Sequence, residues 1–325
     1  MSSKPRTDSD RNRKRARHDP GDAELVAPAH FGDRLLGAID AAGSPACVGL
    51  DPVVEKLPRE ILKDGKLPGQ ADKIEAFCLG VIEAVAEAGG IAAVKPQSAC
   101  FERFGAAGVR ALKSVVRAAR QKGFAVILDA KRGDIGISAE HYAAAAFGSP
   151  GENPAHAPDA MTVSAYLGFD TVEPFLRAGR GAFVLVRTSN PGSDTVQGVK
   201  LADGRTVAEM MADHVSALGA GRRGSSGMSD VGAVVGATKS ADASALRARM
   251  PDTFFLVPGF GAQGGTLEDI RPMLRAGAAS AGALGVLVNA SRSVTYAEAS
   301  QGKSWQDAVA AAAKAFAEQL KRLAG

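Results

Sequence analysis

Eight short apolar segments, each followed by a stretch with helical spacing, constrain the fold of this chain more than any other feature. Their apolar runs are nearly continuous, which is typical of parallel strands covered on both faces. Eight strand–helix units in succession predict a closed (β/α)8 barrel of the TIM type, in the α/β class. The predicted strands lie at residues 46–50, 91–94, 124–130, 160–165, 182–187, 231–236, 253–257 and 285–288.

An extra helix is predicted before the first strand, because the large apolar residues of segment 31–42 recur at helical spacing. A short helix is also expected near residues 171–178. The competing architecture is an open, doubly wound sheet. That fold would require a glycine-rich turn after the first strand, but Asp51 and Pro52 occupy that place.

The chain is predicted to comprise a basic tail at residues 1–27 and one catalytic barrel domain at residues 28–325. Residues 1–20 hold seven Lys or Arg and three Asp, whereas the remaining body carries 32 basic and 32 acidic residues. The tail lacks the apolar segment of a secretory signal and is predicted to be disordered. An arm that binds nucleic acid stays open as the alternative. The balanced body does not indicate a nucleic-acid binder.

The cellular setting is predicted from what the sequence lacks. It contains no run of about 18 apolar residues, so no membrane span is expected. Cys47, Cys78 and Cys100 follow no metal or disulfide pattern, which favours the reducing cytoplasm. The five histidines do not fall in a ligand spacing, so no structural metal is predicted.

Polar or charged side chains follow every predicted strand. In a barrel of this kind the loops after the strands carry the active site, so these residues predict one site at one rim. They are Asp51, Lys95, Asp129, Lys131, Asp134, Thr162, Ser164, Arg187, Thr188, Thr238, Lys239, the loop 258–265, Ser291 and Arg292.

The segment 126–135, with the sequence VILDAKRGDI, is the most informative of these strand ends. Side chains alternate along a strand, so Asp129 and Lys131 are predicted to share one face, and Asp134 follows three residues later. Buried charges persist where they pair or take part in chemistry. The cluster therefore predicts a catalytic site, although D-x-K alone is more typical of an ordinary ion pair at a strand end.

The last two strand ends predict a phosphate site, which in this fold lies after strands seven and eight. Thr266 and Asp269 form a capping-box pattern that predicts a helix from there to residue 276, with its N-terminus at the rim. Arg292 offers a planar guanidinium for a phosphate. Four glycines would allow close backbone approach, namely Gly259, Gly261, Gly264 and Gly265.

Taken together, these segments resemble the orotidine 5′-phosphate decarboxylase family across about residues 31–320. The string DAKRGDI at 129–135 is the most specific match. The strings KPQ and TSNP are similar to the longer bacterial branch. The further matching segments are VGLDP at 48–52, VKPQ at 94–97, TVSAYLG at 162–168, TSNP at 188–191, the loop 258–265 and VNASRS at 288–293.

The resemblance implies decarboxylation of orotidine 5′-phosphate to UMP, the last step of de novo pyrimidine nucleotide synthesis, with no cofactor or metal. It implies that Lys131 donates a proton to pyrimidine C6 as carbon dioxide leaves. Asp129 would lie beside the departing carboxylate. Lys95 would bridge Asp129 and the ribose. Asp134 would enter the neighbouring subunit's site, which implies a homodimer.

The resemblance also implies substrate-binding roles. Asp51 would hold the ribose hydroxyls, Ser164 the pyrimidine edge, and Gln263 with Arg292 the phosphate. Thr162 and Asn190 are predicted to bind substrate from their rim position alone.

Two alternatives stay open. A magnesium-dependent decarboxylase or aldolase of keto-sugar phosphates shares the fold and the D-x-K-x-x-D motif. In that branch the second strand ends in a metal-binding glutamate, whereas Lys95 stands there and would repel magnesium. A non-catalytic barrel with a nucleic-acid-binding tail would explain the basic arm but not the charged rim.

Overall fold

The computed structural model describes residues 30–149, 152, 154–261 and 264–324; the predicted tail and Gln263 lie outside them. Eight parallel strands form a closed barrel in chain order, which confirms the predicted fold. The strands are β1 (Ala46–Leu50), β2 (Ala93–Pro96), β3 (Ala125–Arg132), β4 (Ala160–Val163), β5 (Gly181–Arg187), β6 (Val231–Val235), β7 (Phe255–Val257) and β8 (Val286–Ala290).

Helices connect the strands, and the longer ones cover the outside of the barrel. No helix within the described residues is both long enough and apolar enough to cross a membrane. They are α1 (Phe31–Ala42), α2 (Arg59–Leu62), α3 (Gln70–Ala88), α4 (Ser98–Glu102), α5 (Gly105–Gln121), α6 (Gly136–Phe147), α7 (Asp194–Gln197), α8 (Val207–Ala220), α9 (Ser240–Arg249), α10 (Leu267–Ile270), α11 (Arg292–Thr295) and α12 (Trp305–Lys321).

The strands bury apolar side chains on both faces, and this produces two cores. Along β3, Leu128 packs with the residues between the strands and the outer helices, whereas Ile127 lies in the smaller cluster inside the barrel. This alternation is the one predicted from the strand period. It directs the next inward residue of β3, Asp129, toward the rim.

Helix α1 closes the end of the barrel opposite the rim. Its Phe31, Leu35 and Ile39 are buried in the same cluster as the inward residues of the strands. The Phe31 ring meets Phe183 of β5 edge-on, with ring centroids 6.0 Å apart. Gly181 makes this approach possible, because a Cβ there would lie 2.1 Å from the Phe31 ring. The interior is therefore plugged at its base.

The loop 221–230 between α8 and β6 is attached to α1 at this base. Asp33 accepts hydrogen bonds from the backbone N–H and hydroxyl groups of Ser225 and Ser226, over 2.5–2.9 Å. Burial alone would raise the pKa of Asp33, but the bonds from Ser226 and Ser225 outweigh it and lower the pKa to about 2. This loop therefore anchors α1 and lies away from the rim.

Two predicted helices are wrong in extent. Segment 171–178 forms two 3-10 turns, Phe169–Thr171 and Glu173–Phe175, instead of one helix. The helix after Thr266 ends at Ile270 and is followed by the 3-10 turn Arg271–Met273. The turns Glu173–Phe175 and Arg271–Met273 each contain a proline near their start, which lacks the backbone N–H that a continuing helix needs.

Candidate active site

A cavity of about 580 Å³ opens at the C-terminal ends of the strands. All eight strands, or the loops that follow them, contribute to its wall. Seven residues predicted for catalysis or substrate binding lie on its lining together with one predicted loop glycine. They are Asp51, Lys95, Asp129, Lys131, Thr162, Asn190, Arg292 and Gly259.

The centre of the cavity is a carboxylate held by two lysines. Lys95 Nζ donates to Asp129 Oδ2 over 2.7 Å, and Lys131 Nζ donates to Asp129 Oδ1 over 2.6 Å. Asp129 is 6% exposed and Lys95 is 4% exposed, whereas the Lys131 side chain is 47% exposed and faces the cavity. The D-x-K motif therefore forms a pair that reaches the opening, with a second, buried lysine behind it.

The pKa values of the buried pair follow from competition between burial and charge. Burial alone would raise the pKa of Asp129, but the charges of Lys95 and Lys131 outweigh it and hold that pKa well below its usual range. Burial alone would lower the pKa of Lys95, yet Asp129 and Asp51 raise it above its usual range. Both groups are therefore charged at neutral pH, which fixes an ion pair in the wall of the cavity.

The backbone at Lys131 is unusual. Lys131 has φ +46°, and within the described residues no other non-glycine residue has a positive φ. The pairing of β3 with β4 shifts register between Leu128 and Arg132, as at a β-bulge. Conformations of this kind cost about 1–2 kcal/mol and persist only where the surroundings impose them. They are found at functional sites more often than elsewhere.

Asp134 lies apart from this array in the described chain. Its carboxylate accepts a hydrogen bond from the backbone N–H of Ile135 over 2.8 Å, and it forms no ion pair with Lys131 among the described residues. It is not on the cavity lining. The chain thus brings Asp129 and Lys131 together but leaves Asp134 on the outer loop between β3 and α6.

The loop after β7 folds back on itself. The backbone N–H of Gly265 donates to Gly259 O over 3.1 Å, and that of Gly261 donates to Gly265 O over 2.9 Å. Gly259 lines the cavity with φ +95°, a conformation that requires glycine. Gly261, Gly264 and Gly265 lie off the lining. The predicted capping box is confirmed at α10, where Thr266 accepts from the Asp269 N–H.

Arg292 begins α11 directly after β8 and lines the same side of the cavity as Gly259. Gln263 lies outside the described residues. Within the described part of the chain, no three His, Cys, Asp or Glu side chains are grouped so that they could hold a metal ion.

Ser164, predicted to contact substrate, lines a neighbouring apolar cavity of about 530 Å³ instead. The two cavities share Leu185, Val196 and Gln197. The physical reason is that β4 ends at Val163, so the inward alternation that carries Thr162 to the rim does not continue to Ser164.

The segment 190–205, an insertion between β5 and α8, covers one side of the cavity. Arg187, at the end of β5, is buried and donates to Asp242 over 2.6 Å, to Ser193 over 3.0 Å and to Asp194. These bonds hold the start of the insertion in place, so that Asn190, Gly192, Ser193, Val196 and Gln197 face the cavity. The sequence placed only Asn190 of this group in the site.

Asn289 is a site residue that the sequence did not indicate. It is buried in β8, and its Oδ1 and Asp51 Oδ1 are the two buried side-chain oxygen or nitrogen atoms of the described residues that have no hydrogen-bond partner. Both residues line the cavity. The available signals were its place in the matching string VNASRS and its polar side chain inside the apolar strand VLVNA. Two unpaired acceptors in one wall are suited to hydroxyl or N–H donors of a ligand.

The chain is similar in sequence to known proteins. A model of the "Orotidine 5'-phosphate decarboxylase / HUMPS family" matches residues 45–307. The orotidine 5′-phosphate decarboxylase of Rhodopirellula baltica is 43% identical over 308 residues, covering 90% of this chain and 99% of that protein. The enzyme of the same name from Roseiflexus castenholzii is 43% identical over 283 residues, covering 86% and 91%.

A solved structure also resembles this chain. The OMP decarboxylase of Leishmania donovani superposes with a TM-score of 0.69 at 33% identity, covering 91% of this chain and 98% of that one. The matched region spans all eight strands and the cavity. This chain therefore belongs to the orotidine 5′-phosphate decarboxylase / HUMPS family.

Proposed function

We propose that this protein decarboxylates orotidine 5′-phosphate to UMP and carbon dioxide, in the last step of de novo pyrimidine nucleotide synthesis. The observation that carries the proposal is the Lys95–Asp129–Lys131 array in the cavity wall. The relatives at 43% identity that carry this name support it. With its three free cysteines, the protein is proposed to act in the cytoplasm.

The array fits the electronic demand of the reaction. Loss of carbon dioxide leaves a carbanion at pyrimidine C6 that no ring position can delocalise. The Lys131 ammonium, oriented by Asp129, is a fixed positive charge next to which that carbanion would form, so it stabilises the transition state without reorganising. The same ammonium then donates the proton that completes UMP. Asp129 would lie beside the departing carboxylate.

The remaining lining residues suit the other parts of the nucleotide. Arg292 and the backbone at Gly259 would hold the phosphate, and the unpaired oxygens of Asp51 and Asn289 would accept hydrogen bonds from the ribose hydroxyls or the base N–H. Gln263 stays a predicted phosphate ligand. Binding of the remote phosphate would contribute to closing the cavity and excluding water.

The matched family is broader than orotidine 5′-phosphate decarboxylases, since its description also includes the HUMPS group. Family membership alone therefore does not decide between the metal-free reaction and the magnesium-dependent alternative. Lys95 lies near the C-terminal end of β2, at the position where that branch is expected to place a metal-binding glutamate. Its raised pKa keeps it cationic, and its bond to Asp129 occupies one carboxylate oxygen. A cation at this point opposes a divalent metal and favours the metal-free reaction.

We further propose that the working unit is a homodimer in which Asp134 completes the partner's site. Large apolar side chains surround Asp134 on the surface. Ile137 is 70% exposed and Tyr166 is 85% exposed, with Ile135 and Leu167 also exposed. The segments 135–137 and 166–167 that carry them are neighbours, because Gly133 packs against the backbone of Ser164. An apolar patch of this kind beside a site is typical of an interface.

The proposed reaction is tested by following UMP formation from orotidine 5′-phosphate with protein treated with EDTA. We expect full activity, and no formation or cleavage of keto-sugar phosphates when magnesium is supplied. Loss of activity in EDTA, or aldol chemistry with magnesium, would assign the chain to the other branch.

Shared sites are tested by mixing two inactive variants, Lys131→Ala and Asp134→Ala. Random exchange makes half of the dimers mixed, and one of the two sites in each mixed dimer contains both native residues. We expect about a quarter of the wild-type activity to return. No recovery after verified subunit exchange would place Asp134 outside the neighbouring site.

A further inference from the structure

We propose that Thr162 is a positioning residue for the decarboxylation, whose hydroxyl holds both the backbone of Lys131 and the carboxylate of Asp129 in their working arrangement. The proposal rests on the proposed function above. It replaces the expectation that Thr162 binds substrate.

The Thr162 hydroxyl is fully used within the chain. It accepts hydrogen bonds from the backbone N–H groups of Ala130, over 3.0 Å, and Lys131, over 2.9 Å. It donates its own hydrogen to Asp129 Oδ1 over 3.0 Å. A hydroxyl offers one hydrogen and two lone pairs, so none of its capacity is left for a ligand. Thr162 is also only 1% exposed.

The two accepted bonds fall at the strained point of β3. In a regular ladder, the N–H groups of two successive residues point to opposite sides of the strand. Here both point to one oxygen atom, which requires the turn that gives Lys131 φ +46°. Loss of the hydroxyl would leave two N–H groups unpaired and remove the interaction that imposes this turn. The backbone would then relax and carry the Lys131 ammonium away from its place.

The donated bond acts on the same oxygen that Lys131 contacts. Asp129 Oδ1 accepts hydrogen bonds from Thr162 and Lys131, while Oδ2 accepts one from Lys95. Three donors in fixed directions define the plane of the carboxylate. Thr162 therefore links the orientation of Asp129 to the backbone of Lys131, because its one hydroxyl oxygen, Oγ1, forms hydrogen bonds with both.

Thr162→Val and Thr162→Ser test this assignment. Valine keeps the shape but lacks the hydroxyl, and serine keeps the hydroxyl but lacks the methyl group. For Thr162→Val we expect kcat to fall about 100-fold, since a misplacement near 1 Å has an effect of that size. KM should stay within about threefold, because the hydroxyl has no bond left for substrate. Thr162→Ser should keep kcat within about threefold of wild type.

A kcat for Thr162→Val close to wild type would overturn the proposal. A raised KM with unchanged kcat would also overturn it and make Thr162 a substrate ligand. Failure of Thr162→Val and Thr162→Ala to fold, where Thr162→Ser folds, would show that the hydroxyl serves the fold and would overturn it as well.

A crystal structure of Thr162→Val provides a readout that does not depend on activity. We expect Lys131 to leave the positive-φ region and its Nζ to lose contact with Asp129. Retention of both features would refute the positioning role. If the wild-type protein does not decarboxylate orotidine 5′-phosphate, the proposed function fails, while this structural result still decides whether Thr162 sets the geometry.

Discussion

Asp129→Asn removes the negative charge that two lysines contact while keeping the size of the side chain. At an effective dielectric constant of about 20, unit charges at the observed separations of 2.6 and 2.7 Å attract each other by about 6 kcal/mol. Desolvation of the groups offsets much of this attraction. Removing one partner of a buried pair costs about 3–5 kcal/mol, because the other charge stays buried.

The size of the stability loss in Asp129→Asn is determined by Lys95. It is almost completely buried and would lose its direct anionic partner, whereas Lys131 is half exposed and can be solvated. We therefore expect the free energy of unfolding to fall by about 3–5 kcal/mol. Denaturation in guanidinium at pH 7 measures this free energy of unfolding. The control is the double variant Lys95→Met/Asp129→Asn. The double variant should be more stable than Asp129→Asn alone, because no buried lysine is left uncompensated.

The pH dependence follows from the lowered pKa of Asp129, which the lysine charges hold down against the opposing effect of burial. In the unfolded chain this carboxyl has a pKa of about 3.9. The advantage of wild type over Asp129→Asn should therefore be complete above about pH 5. It should shrink as the pH falls below about 4 toward the lowered folded value. Equal stability of the two proteins at pH 7, or a difference that already closes near pH 6, would refute the ion-pair account.

Three further outcomes are expected. Lys131→Gly should be about 1 kcal/mol more stable than Lys131→Ala in thermal unfolding, because glycine adopts φ +46° without steric cost; equal stability would argue against strain. Arg292→Ala should lower kcat/KM for orotidine 5′-phosphate about 100-fold, as expected for lost charge-assisted bonds. It should leave the slow reaction of phosphate-free orotidine unchanged, and equal losses with both substrates would contradict a phosphate contact. Asp33→Asn should be less stable than wild type above about pH 4, because the folded pKa near 2 lies below the unfolded value, and the two should converge as the pH approaches 2. A constant difference in acid would exclude Asp33 as the cause.

The barrel could be predicted from the sequence because its strands are buried on both faces and appear as separate apolar runs. Helix α1 also begins and ends where its spacing predicts. The helices predicted near Pro174 and Pro272 do not form in full, because the missing backbone N–H prevents a continuous helix. Loss of a backbone donor outweighs an apolar pattern at such points.

Much of the site could be predicted for a similar reason, since parallel strands bring their C-terminal residues to one rim. Asn289 was not predicted as a site residue because it lies within an apolar strand, and its buried, unpaired oxygen identified it in the structure. The conformation of Lys131 could not be foreseen. It depends on a hydroxyl from the neighbouring strand, and no local propensity favours a positive φ for lysine.

The central claim is that Lys131, held by Asp129, carries out the chemistry without a metal. It is tested most directly by the rate of carbon dioxide release from orotidine 5′-phosphate, measured in EDTA for wild type and for folded Lys131→Ala that still binds UMP. The account predicts rapid release by wild type and a loss of at least about 10⁴-fold in the variant, because both the charge and the proton donor are gone. A variant that keeps a tenth or more of the activity, or a wild type silenced by EDTA, would contradict it.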